Sequence, residues 1–265
     1  MVAVKLSKIT KFARIVSWVF DGSVLALPVF IAASFYKMND FSRMMPSFLV
    51  AIFFIALLPY TLILILYKSG KLSELQMPKR KERLLPLLAV NLSIFTGFLI
   101  LTFTSPGNVL KTVYMVYILG LPSLSIITLF YKISFHASYI TMFSITYIMI
   151  FGKWAIFTLL LIPVVCWSRV HLKRHTPGQV LLGAGLTATA SGTVFAANGY
   201  PVYENLFLGS MRNAFQLITK NLKTGFPGSS INMLFFFVMF ALVIYLNMLI
   251  FSEKSYPSKR RSLFT

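Results

Sequence analysis

From Pro46 to Tyr67 the chain carries no charged side chain, and the stretches 84–104 and 177–197 are equally free of charge. Each meets the roughly 20 residues needed to cross a bilayer. Inside hydrocarbon no water is at hand for backbone N–H and C=O groups, so such stretches must satisfy them internally, as helices. Composition agrees: 57% of the 265 residues are hydrophobic and 12% charged, where a soluble domain carries about a quarter charged residues. The chain is therefore read as all-α, a polytopic membrane helix bundle.

Eight spans are expected in order. The first ends near Tyr36, and the second and third occupy 46–67 and 84–104. The fourth is 109–131 and the fifth 136–151, with a turn at Gly152-Lys153. The sixth and seventh are 154–168 and 177–197, and a last one is 231–251. Lys5, Lys8 and Lys11 alternate with Leu6, Ile9 and Phe12, the pattern of a basic amphipathic helix in the membrane interface. A second interfacial helix is expected within 199–230, where Leu206, Ser210, Ala214 and Ile218 form a stripe. The division is a membrane core at 1–199 and a C-terminal part, 200–265, holding the interfacial segment, the extra span and a basic tail. Asp21, in "FDGSV", is a carboxylate inside the first span. Such groups are functional candidates by default, but Asp-Gly-Ser is also helix-capping chemistry, and the cap is the favoured reading.

Net charge is +19, from 25 basic and 6 acidic residues. In a membrane chain this excess is read as positive-inside loops and contact with anionic lipid headgroups, not as a nucleic-acid surface. A lone cysteine, Cys166, excludes an intramolecular disulfide. The basic-then-apolar N-terminus has no small-residue cleavage site after a short apolar core and is read as retained.

Three polar clusters interrupt the apolar pattern: "KRKER" (79–83), "KISFH" (132–136) and "SRVHLKRH" (168–175). They fall between spans two and three, four and five, six and seven, so all emerge on one face. Each directly precedes a helix N-terminus, where unpaired N–H groups and the helix dipole favour an anion. Lys79, Arg80, Arg83, Lys132 and Arg169 around three such ends suit a polyanion such as phosphate. Ser134 is placed to cap the fifth span, with the Phe135 amide facing an oxygen. Thr176-Pro177 reads as an N-cap with proline at the first helical position. His175 is then held just outside the seventh helix, one turn from Gln179. A nucleophilic imidazole is neutral, with one nitrogen free and the other bonded to an acceptor; the Gln179 side-chain carbonyl is the expected acceptor. His136, from another helix, is the expected general acid, and His171 a rim residue.

Order and spacing resemble the type-2 phosphatidic acid phosphatase superfamily, whose motifs run K-x6-R-P, P-S-G-H and S-R-x5-H-x3-D. Ser168, Arg169 and His175 match the third, Ser134 and His136 the second, and Arg83 with the later Pro86 loosely the first. The resemblance covers about 79–185 and implies a six-helix phosphatase-like core. It further implies a metal-independent, cofactor-free lipid phosphatase acting on a lipid phosphomonoester or diphosphate, of diacylglycerol or polyprenyl type, through a phosphohistidine. His175 would be the nucleophile and His136 the general acid, with Arg169, Arg83 and Ser134 on phosphate. The chain departs at Gln179, where the family has Asp, and at Ile133 and Phe135, where it has Pro and Gly. The first motif's lysine position falls on Gln76, leaving Lys79 or Arg80 to serve. A non-catalytic anionic-lipid binder or transporter and a lipid phosphotransferase stay open as alternatives. The scarcity of acidic residues in the clusters, Glu82 alone, disfavours a metal-dependent phosphatase. Most Lys and Arg fall on the face of the three clusters, which by the positive-inside rule places that face in the cytoplasm of a cell-membrane protein.

Overall fold

The computed structural model describes residues 7–36, 41–75, 80–104, 108–200 and 202. Among them there is no strand. Lys79, the 203–230 segment, the 231–251 span and the basic tail lie outside the described residues. The described residues form nine α-helices in order: α1 Lys8–Val19, α2 Gly22–Phe35, α3 Phe41–Ile52, α4 Leu58–Lys68, α5 Leu84–Phe103, α6 Asn108–Phe130, α7 Phe135–Phe151, α8 Leu161–His171 and α9 Pro177–Ala197. Among the described residues, five helical stretches are apolar and long enough to cross a membrane: Met44–Lys68, Leu84–Phe103, Asn108–Phe130, Phe135–His171 and Pro177–Ala197.

Phe135–His171 is not one straight rod. At Gly152 the backbone takes φ 67° and ψ −148°, a conformation that costs glycine little, and the chain turns back on itself. Ser144 in α7 donates to the Thr158 carbonyl at 2.9 Å on the returning arm. The expected turn at Gly152-Lys153 is where the chain reverses, but the returning arm differs from expectation. It begins as a 3-10 helix, Gly152–Leu160, and becomes α-helical only at Leu161. Pro163 explains the change: lacking an N–H, it is tolerated in the first turn of an α-helix and not in its interior.

The N-terminal helices divide at Asp21. The break falls where the cap was expected: α1 and α2 meet there at a bend of 43°, and α1 lies along α8. Ser168 in α8 donates to the Ala13 carbonyl at 2.8 Å, while Ile9, Phe12 and Ile15 stay exposed on the outer face. Asp21 occupies the bend.

α7 is the centre of the bundle, buried along nearly its whole length, with α2, α8 and α9 packed around it. Its contact with α9 is close because Gly183 has no side chain. A Cβ there would lie 2.7 Å from the Ser134 carbonyl oxygen, and the Ser138 hydroxyl donates across the seam to the Gly183 carbonyl at 3.1 Å. Small residues that let backbones approach are how helices bind one another where lipid removes the hydrophobic drive. The seam fixes the start of α7 against the start of α9. Between α3 and α4, Phe53–Leu57 form a π-helical turn, and Ser93 in α5 donates to the Phe54 carbonyl at 2.7 Å, meeting a backbone group that the irregular turn displaces.

Candidate active site

The three polar clusters converge at one end of the bundle. The connection between α8 and α9 is built from local sequence. α8 closes with Arg174 N–H donating to the Arg169 carbonyl at 3.0 Å and Lys173 N–H to the Val170 carbonyl at 2.9 Å. This paired closure needs a left-handed residue, and Lys173 supplies it at φ 54°. Thr176 then caps α9: its hydroxyl accepts from Gln179 N–H at 3.4 Å, and the Gln179 side chain returns to Thr176 N–H at 3.2 Å. Pro177 follows at the first helical position, where a missing N–H costs nothing.

That capping box decides the chemistry of His175. Thr176 N–H can only donate, so the side-chain atom of Gln179 facing it is Oε1. The same oxygen lies 3.1 Å from Nδ1 of His175, and an oxygen acceptor requires Nδ1 to carry the hydrogen. Nε2 therefore holds the lone pair, and among the described residues it makes no hydrogen bond. His175 is buried. Burial, then the neighbouring Arg169 and Arg83 guanidiniums and Lys132, push its imidazole down to about 3 against the weak opposing pull of Gln179. It is neutral across the physiological range.

Arg169 and Arg83 are also buried. Arg169 donates through Nη1 to the Ser17 hydroxyl of α1. Arg83 ends a 3-10 turn, Arg80–Arg83, donates to the Ile133 carbonyl at 3.3 Å and lies over the Phe135 ring, 5.8 Å from its centroid. Burial lowers the Arg83 pKa from the ordinary arginine value. His136, at the start of α7, directs Nε2 to the Ser17 carbonyl at 3.1 Å and lies 3.4 Å from Asp21 Oδ2.

A cavity of about 200 Å³ opens at this cluster. Its polar end is lined by Asp21, Arg83, His136, Arg169 and His175, and Phe135 also borders it. Away from the charges it continues between Ile55, Ala56, Pro59, Val90 and Leu121, with Tyr60 and Tyr139 also on its wall. One end thus suits an anion and the other an apolar chain.

Of the residues singled out from sequence, Arg83, Phe135, His136, Arg169 and His175 meet in this cavity, and Gln179 stands behind His175. Ser134 caps α7, as expected. It is fully buried, its hydroxyl accepts from Ala137 N–H at 3.4 Å as the α7 cap, and its own N–H donates to the Gln179 carbonyl at 3.3 Å. It joins α7 to α9 and does not line the cavity. Lys132 lies beside the site, its ammonium pKa lowered by burial and by Arg83, Arg169 and Arg174. Arg80 is the first residue of the 3-10 turn, and its side chain lies outside what the structure describes. His171 is an exposed rim residue, stacked on Trp167 and 3.3 Å from the Thr10 hydroxyl.

Sequence reasoning passed over Ser17. Its hydroxyl holds Arg169 and its carbonyl holds His136, so one residue of α1 joins two of the three clusters. The available signal was weak: Ser17 is a lone small polar residue between Val16 and Trp18, near the end of α1 and four positions before Asp21. No family model, curated protein or solved structure matches this chain.

Proposed function

We propose that the chain is a membrane-integral lipid phosphatase that cleaves a phosphomonoester or diphosphate through a phosphohistidine on His175. One observation carries the proposal: a buried, neutral imidazole with Nδ1–H fixed by Gln179 offers a bare Nε2 to a cavity that also holds two buried arginines. A structural histidine in such a field would be costly and without purpose, whereas a nucleophile must be neutral and oriented. Arg83 and Arg169 would bind the phosphoryl oxygens and stabilise their charge in the transition state. His136 would give a proton to the departing oxygen, and the apolar end of the cavity would take the first part of the lipid. Matching the S-R-x5-H spacing at Ser168, Arg169 and His175 supports the same reading. The site is proposed to face the cytoplasm, on the charge excess of its loops.

The test is phosphate release by the purified protein in detergent, across a panel of lipid phosphates and diphosphates with EDTA present. Release is expected from at least one lipid, His175→Asn should abolish it, and a quenched digest should carry acid-labile, base-stable phosphate on the His175 peptide. Binding without turnover would assign a lipid-binding role instead, and transfer to an added alcohol a phosphotransferase. For orientation, a cysteine at Lys71 in a Cys166→Ala background should resist a membrane-impermeant thiol reagent in intact cells.

A further inference from the structure

The cavity holds a carboxylate to which the reaction above gives no part. Asp21 stands at the α1–α2 corner, with Oδ2 3.4 Å from Nε2 of His136. The Ser17 carbonyl lies 3.1 Å from the same nitrogen. A carbonyl only accepts, so Nε2 carries a hydrogen directed into the corner. Nδ1, which makes no hydrogen bond among the described residues, is the nitrogen left to exchange a proton with substrate. The charges around the ring are unequal. Arg169 from α8, Arg83 from the 3-10 turn and neutral His175 from the α8–α9 connection share its cavity, and Tyr139 from α7 and Tyr60 from α4 border it. The two guanidiniums are the cations on that wall, and Asp21 is the carboxylate against Nε2.

We propose that Asp21 is a positioning residue for His136, holding Nε2–H toward the corner and stabilising the imidazolium so that Nδ1 works as general acid and then base. The inference rests on the phosphohistidine reading. In the first step the His175 Nε2 lone pair forms the N–P bond, the P–O bond to the lipid breaks, and the Nδ1 proton of His136 passes to the leaving oxygen. In the second, water attacks phosphorus, Nδ1 takes the water proton, the N–P bond breaks and inorganic phosphate departs. The two histidines are thereby set apart by surroundings: His175 has a neutral partner and stays a nucleophile, while His136 has an anionic one and cycles a proton. Separation of two titratable groups in this way is how acid and nucleophile roles are assigned in one site.

A helix cap alone would make a different prediction. As the residue before α2, Asp21 already lends its main-chain carbonyl to Val24 and Leu25, and a purely capping side chain would affect stability without regard to the leaving group. The experiment compares two substrates that share a phosphoryl group, dodecyl phosphate and 4-nitrophenyl phosphate, on the full chain in detergent. Dodecanol needs a proton to leave and nitrophenolate does not. Asp21→Asn should slow dodecanol release by about 30- to 100-fold, within the range for general acid catalysis, with the burst of nitrophenolate kept within about 3-fold of the parent. Asp21→Glu should recover most of the loss, and Asp21→Asn should add less than about 3-fold to His136→Ala because the two act as a unit. Equal losses on both substrates, a multiplicative loss in the double variant, or a parent-like Asp21→Asn would each overturn the role of Asp21 while His175 remains required. If the parent turns over neither these nor any lipid phosphate, the phosphohistidine reading fails and this inference with it.

Discussion

The α8–α9 connection and the α1–α2 corner deliver side chains to the same cavity by opposite means. The closing and capping bonds that shape the first join residues no more than six positions apart: Arg174 to Arg169, Gln179 to Thr176 and His175 to Gln179. Only then do Arg174 to Glu74 and Ser134 N–H to the Gln179 carbonyl tie it to distant segments. The second owes its place to distant partners. Ser17 meets His136 across 119 positions and Arg169 across 152. His175, whose ring the proposed reaction needs oriented within tenths of an ångström, sits on the stiff, locally determined element. Ser17 and Asp21, which reach His136 and Arg169, are brought in by helix packing, on an arm bent by 43° from the next helix.

The largest test of this contrast is at Gln179. Leucine there removes the acceptor for Nδ1 and frees the imidazole to rotate and change tautomer; turnover should fall by about 10²-fold or more, on the scale of acid–base support. Aspartate keeps an acceptor and should retain or raise activity. Gln179 also caps α9, so Thr176→Ala is the control: it removes the cap alone and should cost about 1 kcal/mol of stability with kcat near the parent. An equal loss of kcat in both variants would trace the effect to the cap.

At the corner, Ser17→Ala should do less. It deletes the hydroxyl that accepts from Arg169 but keeps the carbonyl that accepts from His136. One of the Arg169 anchors is lost while the acid stays oriented, so KM for a phosphorylated substrate should rise by about 10-fold, the scale of one net hydrogen bond to a charged group, with kcat little changed. A kcat loss as large as that of Gln179→Leu would erase the distinction between the two regions.

The same contrast explains what the sequence revealed. The seventh span was legible to the residue, 177–197, because Thr176-Pro177 states its start in local chemistry and no break follows. The sixth was not, because a 3-10 arm before Pro163 leaves the apolar pattern unaltered while changing the helix type. Motif spacing brought Arg83, His136, Arg169 and His175 together, since loops two crossings apart must share a face. It made Ser134 both the cap of the fifth span and a phosphate ligand; the cap was legible, but nothing in its neighbours reveals that the close approach at Gly183 buries it. Asp21 was visible as a carboxylate in a span, but its partner was not: a 43° bend and a helix laid along α8 have no signature in hydropathy. Ser17 was missed for the same reason.

The smallest effect concerns protons at His175. Its imidazole is held near 3 in the folded protein, against an ordinary value of 6.5, first by burial and then by Arg169, Arg83 and Lys132. Between those values the unfolded chain binds a proton that the folded one refuses, so this residue's contribution to stability is present above about pH 6.5 and is lost as pH falls toward 3. Thermal unfolding should therefore shift to lower temperature on acidification below 6.5, and His175→Asn should flatten part of that slope. Lys132 is the last of the cationic contributions, so Lys132→Met should move the transition upward, by less than removal of either arginine. Histidine-selective ¹⁵N spectra recorded from pH 7 to 4 would follow it directly: the parent signal should stay that of a neutral ring with hydrogen on Nδ1, and the variant should begin to titrate at a higher pH. A parent His175 that titrates near 6.5 would mean that the cations do not reach it, and that the α8–α9 connection holds the ring without setting its charge.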